Sequence, residues 1–303
     1  MMTSAKALMV ACLMVAPTMQ SFGQETPTIS GGGGLDLAIY EAGDPTGPAI
    51  VFIHGFLGSH LVWEEQFLGT LAEDHRLIAF DLRGHGASDK PLAAESYTDP
   101  DLWAEDVAAV IRELDLDRPV LVGWSYGGYI IPDYLREHGS DAIGGLVFVG
   151  AVTKAGTEEA QAALGEELLE IFGGVLSPEV RMRIAATRAF VPLLTSRPLD
   201  RERHEILLAG AMMVPPEVRL AMFSRELDND DVLGRIDVPT LVIHGRDDRA
   251  VQVSAAEHIA ATVPGAELQV YDGVGHAPFL EDPERFDEDL RAFVREVRQG
   301  PSQ

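Results

Sequence analysis

Ser125 sits at the centre of Gly123-Trp124-Ser125-Tyr126-Gly127, directly after the apolar run Val120-Leu121-Val122. A serine hydroxyl attacks an acyl carbon only when a base takes its proton and donors stabilise the oxyanion. A Gly-x-Ser-x-Gly turn between a buried strand and a helix supplies the geometry. The bend holds the hydroxyl up, and the glycines let strand and helix pass closely. Ser125 therefore reads as a nucleophile rather than a turn former. Of nine histidines, His75 and His138 fall near helix ends, His204 in a helical stretch and His258 on an amphipathic helix. His276 stands apart, in the glycine-rich loop "DGVGHAPF" just past the strand expected over 266–271, and is expected to be the base. The acid that orients it is expected after the strand "TLVIHG", where Arg246-Asp247-Asp248 follow. Asp248, three residues past Gly245, is preferred, and Asp247 is the alternative. Two backbone N–H groups are expected to bind the oxyanion. One is that of Tyr126, at the start of a helix, and the other that of Phe56 in "HGFLGS".

These residues need a scaffold that brings several loops to one place. Strand-like and helix-like segments alternate along most of the chain. Strands are expected over 35–43, 49–55, 76–84, 118–124, 142–150, 238–245 and 266–273, and helices over 61–75, 99–116, 126–138, 254–264 and 283–297. Asp99 is placed to cap the second of these helices. Near-continuous apolar strands alternating with helices predict an α/β fold: a mostly parallel sheet with helices on both faces. The alternation stops between residues 151 and 236, which read as helical pieces near 158–172, 178–190, 200–213 and 216–227 with no clear strand. Such an insertion after a sheet strand lies at the carboxyl ends of the strands, where ligands bind in open α/β sheets, and is expected to form a cap. The expected division is core over 24–150, helical cap over 151–236 and core again over 237–303. Gly31 to Gly34 is expected to be a linker into the first strand.

The chain has 303 residues, 46% of them hydrophobic, enough for one large core. Its formal net charge of −25 opposes binding to nucleic acid or anionic membranes. Lys6, Lys90 and Lys154 are the only lysines. An acidic, lysine-poor surface fits a high-salt habitat and biased genome composition equally well.

The first 23 residues place one positive charge, Lys6, before the apolar run from Ala7 to Pro17, then small residues Ser21 and Gly23. This is the layout of a secretory signal peptide, and the run is too short to span a bilayer. The expectation is export, to the periplasm or beyond. The only cysteine, Cys12, would leave with the signal, so the mature chain would need no disulfide and offer no metal thiolate.

"HGFLGS", "DLRGHGASDKP", "GWSYGG", "HGRDDRAV" and "GVGHAPFLEDPERF", in this order, resemble signature segments of the α/β-hydrolase fold. Within it the chain is similar to the esterase, perhydrolase and non-haem haloperoxidase group. The resemblance implies Ser125, Asp248 and His276 as the triad, Phe56 and Tyr126 as oxyanion donors, and loop-stabilising roles for Arg83 and His85. It implies no metal and no organic cofactor. Members of the fold that cleave carbon–halogen bonds or epoxides use an aspartate nucleophile, which Ser125 argues against. The expected activity is hydrolysis of carboxylic esters through an acyl-enzyme. Lactone hydrolysis, perhydrolysis and carbon–carbon bond hydrolysis are the alternatives among enzymes. A ligand-binding receptor on the same fold is the alternative outside them. The expected substrate is a small molecule with an apolar acyl group. Of the apolar residues in the insertion, most are expected to make helix contacts. Some, with Trp63 and Trp124, are expected to line the acyl pocket.

Overall fold

The computed structural model describes residues 26–300. The signal-peptide expectation for residues 1–23 lies outside the described residues. Among the described residues, ten strands and thirteen α-helices follow in chain order. The strands are β1 (Thr28–Ser30), β2 (Asp36–Gly43), β3 (Ala49–Ile53), β4 (Arg76–Phe80), β5 (Val120–Trp124), β6 (Gly145–Val149), β7 (Lys154–Ala155), β8 (Leu227–Asp228), β9 (Thr240–Gly245) and β10 (Glu267–Tyr271). The helices outside the insertion are α1 (Glu64–Leu68), α2 (Glu95–Thr98), α3 (Pro100–Glu113) and α4 (Gly127–His138), then α10 (Asp230–Leu233), α11 (Val253–Thr262), α12 (Pro278–Glu281) and α13 (Pro283–Gln299). Those inside it are α5 (Glu158–Ala162), α6 (Glu166–Val175), α7 (Val180–Phe190), α8 (Arg201–Met212) and α9 (Pro216–Met222).

Eight strands form one sheet in the order β1-β2-β4-β3-β5-β6-β9-β10. β1, β2 and β4 pair antiparallel, and every later neighbour pairs parallel. β3, β5 and β6 lie side by side, with Ile53 opposite Gly123 and Gly123 opposite Phe148. β5, β6 and β9 are buried along their whole length, which explains their largely apolar runs: both faces are covered. The covering helices fall into two contacting groups, α3, α4, α10 and α11 in one and α1, α12 and α13 in the other. Asp99 caps α3, its carboxylate accepting the Asp101 N–H, with Pro100 in the first turn.

Three expectations need correction. The helix expected over 61–75 is broken into the 3₁₀ turn His60–Trp63, α1 and the turn Thr70–Glu73. Val62, Trp63 and Leu71 still reach the core, so the apolar spacing was real while the backbone was not one helix. Gly31–Gly34 is not a free linker. Gly32 is buried, and its N–H donates to Asp106 at 2.8 Å. Arg83 grips the same carboxylate through two bonds of 2.7 Å and donates to the Gly32 carbonyl. The N-terminal strand is thus clipped to α3 by a buried, two-pronged ion pair. Finally, the insertion does contain strand: β7 and β8 pair antiparallel at its base, Lys154 opposite Asp228. Two-residue strands carry no readable periodicity.

Candidate active site

β5 ends at Trp124 and α4 begins at Gly127, so the chain reverses over two residues. Ser125 absorbs the bend at φ +53°, a left-handed conformation costly for a residue with a side chain. The turn is fixed by the Ser125 N–H bond to the Val149 carbonyl of β6 (3.0 Å) and by Gly128 N–H bonding to the Ser125 carbonyl (2.9 Å). A Cβ on Gly123 would come within 2.9 Å of the Gly127 carbonyl, and one on Gly127 within 2.9 Å of the Ile53 carbonyl. Both glycines are therefore demanded by close passage. Ser125 remains half-buried among buried neighbours, its side chain in the wall of a cavity of about 240 Å3.

His276 lies in the same wall, delivered by the loop after β10. Its Nδ1 is 2.7 Å from Asp248 Oδ2. A carboxylate can only accept, so this nitrogen carries the proton and the lone pair of Nε2 is left for chemistry. Asp248 is buried, and its other oxygen accepts the N–H groups of Ala250 (2.8 Å) and Val251 (2.9 Å). Burial pushes the Asp248 carboxyl upward, but His276 and His244 outweigh it and hold the group below the usual carboxylate range. Asp247 is exposed and turned away, its N–H on the Val274 carbonyl.

Phe56 and Tyr126 border the cavity with Ser125. Tyr126 is the N-cap of α4, where the helix presents its positive end. The loop carrying Phe56 is held by His54, whose Nδ1–H donates to the Gly55 carbonyl (2.8 Å) while Nε2 accepts the Leu82 N–H (3.0 Å). Burial lowers the His54 pKa to about 4, which keeps the ring neutral and Nε2 able to accept. His85 has the structural place expected of it, its Nδ1 on the Arg83 carbonyl at 3.0 Å. The remaining walls come largely from the insertion: Leu164, Leu168, Leu169, Phe172, Phe190 and Phe223. Phe223 sets its ring edge-to-face against Phe56 (4.6 Å) and Phe172 (4.7 Å).

Trp63 and Trp124 do not line the cavity, contrary to expectation. Trp63 is sealed in the core against Phe52, Phe279 and Trp124. Trp124 is buried beneath the loop that carries His276 and donates from Nε1 to the His276 carbonyl at 2.9 Å. A bulky apolar side chain next to a nucleophile in sequence serves the core as readily as a pocket. His244 was also missed. Its Nε2 lies 3.0 Å from the Val251 carbonyl and 3.2 Å from Asp248 Oδ2. The available signal was its position four residues before Asp248, on the strand that leads to it. Among the described residues no cluster of His, Cys, Asp and Glu is arranged to hold a metal, and no helix is long and apolar enough to cross a membrane.

Residues 48–283 match the family model for the alpha/beta hydrolase fold. The chain belongs to the α/β-hydrolase family. Relatives of this hydrolase carry esterase and haloperoxidase names. It is 34% identical to a non-heme chloroperoxidase of Streptomyces lividans, over 88% of this chain and 99% of that one. Its fold is similar to the crystal structure of an esterase from Rhodococcus sp. ECU1013, with a TM-score of 0.85, 37% identity, and coverage of 90% of this chain and all of the other. A putative aryl esterase from Burkholderia cenocepacia aligns with a TM-score of 0.83 and 35% identity, over 91% of this chain and 100% of that one.

Proposed function

We propose that this hydrolase cleaves carboxylic esters of apolar acids through an acyl-enzyme on Ser125. The observation that carries the reading is the strained Ser125 turn facing the same cavity as the His276–Asp248 pair. His276 Nε2 takes the Ser125 proton as Oγ attacks the acyl carbon, and Asp248 steadies the imidazolium. The N–H groups of Phe56 and Tyr126 bind the oxyanion. His276 then protonates the leaving alcohol. It next deprotonates a water that attacks the acyl-enzyme, releasing the acid and restoring Ser125. The apolar walls favour an apolar acyl group, and residues 151–236 act as the cap over it.

The chloroperoxidase name of the Streptomyces relative supports a second reading with the same residues. Hydrogen peroxide in place of water would take the acyl group and leave as a peracid. Opening a lactone would need only the first attack and the same deacylation.

A panel of esters varied separately in acyl and alcohol length tests the main reading, with peracid formation from a short acid and peroxide assayed beside it. Ser125→Ala is expected to stay folded and lose turnover by roughly 10³–10⁶-fold. Near-normal turnover by the purified variant would refute the assignment. Export is proposed on the layout of residues 1–23. Mature protein from the native host should begin near Gln24, and an intact Met1 or Met2 terminus on the functional protein would end that proposal.

A further inference from the structure

His276 is held at three points. Asp248 takes its side chain and Trp124 its carbonyl. The third hold acts one residue earlier, where the Gly275 N–H donates to Glu281 Oε1 at 2.6 Å. Glu281 ends α12, five residues past the base. Its remaining acceptor capacity is turned toward the cap. Both carboxylate oxygens are 2.9 Å from the Ser196 N–H, and Oε2 is 3.2 Å from the Arg197 N–H. The Ser196 hydroxyl lies 2.6 Å from Oε2 and 2.8 Å from the Gly273 carbonyl, and donates to one at a time. Arg197 also donates from its guanidinium to the Glu281 carbonyl. A Cβ on Gly275 would sit 2.6 Å from the Ser196 nitrogen, so the cap turn and the base loop lie flush only because residue 275 is glycine.

We propose that Glu281 is a positioning residue through which the cap turn at 195–197 holds the loop of the general base in register. The inference rests on the reading of Ser125 and His276 as nucleophile and base. A carboxylate accepting several N–H groups is directional and rigid. It fixes the backbone on the N-terminal side of His276, a side that neither the Asp248 bond to the ring nor the Trp124 bond to the carbonyl holds. The cap keeps its other attachments when this carboxylate is lost. Gly165 N–H bonds to the Ala250 carbonyl (3.0 Å), Gln252 N–H to that of Ala163 (2.8 Å), and Arg225 to both oxygens of Asp133 (2.7 and 2.8 Å). The cavity walls should therefore persist, and the defect should fall on the base.

Glu281→Gln is isosteric but turns an amide NH2 toward a cluster of donors. Misplacing a base by a fraction of an ångström should lower kcat on the order of 10–100-fold, with KM for a short ester essentially unchanged. Fluorophosphonate labelling of Ser125 should slow by the same factor, and the low-field proton of the His276–Asp248 bond should broaden in the NMR spectrum. Unchanged kcat and labelling in a folded variant overturn the inference, as does a loss confined to KM, which would mean that the carboxylate only shapes the pocket. Should Glu281→Gln not fold, Ser196→Ala removes a single hydroxyl donor and should give the same kcat and proton changes at smaller size. Their absence there is equally fatal. Wild-type protein that resists the probe would instead strike at the reading of Ser125 itself.

Discussion

The sheet edge and the helical insertion enclose one cavity by different means. At the sheet edge, position is set by directional bonds. Asp248 accepts two backbone N–H groups on one oxygen and His276 on the other, and Ser125 is pinned to β6. The insertion contributes chiefly apolar side chains whose contacts have no preferred direction. Apart from anchors to the core such as Ser196 on Glu281 and Arg225 on Asp133, its buried polar bonds hold the insertion itself together. Arg219 is fully buried, makes no ion pair among the described residues, and donates to the carbonyls of Val214, Val175 and Ala211 and to the Thr187 hydroxyl. Those carbonyls belong to the C-terminal ends of α6 and α8 and to Val214 in the turn after α8, where helix dipoles favour a cation. Burial still lowers the Arg219 pKa to about 10. Chemistry should therefore be brittle at the sheet edge, and specificity graded in the insertion.

The steepest test of that contrast after Ser125 itself is the acid. Asp248→Asn should lower kcat by roughly 10²–10⁴-fold, because the amide favours the wrong His276 tautomer and cannot balance the imidazolium. Asp247→Asn, exposed and facing away, should cost tenfold or less. Steady-state kinetics on both variants, matched first for thermal stability, decides between them. A crippled Asp247→Asn would mean that the acid is misassigned.

A wall of the insertion should respond differently. Phe172→Ala should raise KM for a short ester by about tenfold and change kcat by less than about threefold, because only non-directional contact is lost. Its preference across an acyl-length series should move toward longer chains. A fall in kcat with KM constant would place the insertion inside the chemistry.

A smaller effect separates two buried carboxyls by sign. Burial raises Asp133 to about 6, against the pull of Arg225, which bonds both its oxygens at 2.7 and 2.8 Å. Asp248 is shifted the other way. A raised carboxyl contributes stability fully below its unfolded value near pH 4, and that contribution is lost as pH rises through about 6. A lowered one contributes above pH 4 and loses it as pH falls toward the folded value. Melting temperatures of wild type against Asp133→Asn should thus diverge in favour of wild type as pH drops from 7 to 4. Against Asp248→Asn the wild-type advantage should shrink below pH 4. Parallel curves for both variants would remove the distinction.

The sheet was legible because β5, β6 and β9 are covered on both faces and so are apolar almost throughout, Thr240 and His244 of β9 excepted. The convergence of Ser125, Asp248 and His276 was legible because they follow β5, β9 and β10 within a few residues, and parallel strands deliver their ends to one edge. What escaped depends on pairs distant in sequence. Glu281 meets Ser196 across 85 residues, and Gly32 meets Asp106 across 74. Neither contact leaves a periodicity. Trp63 and Trp124 misled for a different reason: burial fixes how apolar a residue must be, not whether it faces a cavity or the core.

The account stands on Ser125 being an activated nucleophile. Its most direct test is reaction of the purified protein with a fluorophosphonate probe, followed by mass spectrometry of the peptides. The expected result is a single adduct on Ser125, formed far more slowly in His276→Ala and absent in Ser125→Ala. Labelling at another residue, or equal rates in wild type and His276→Ala, would contradict it.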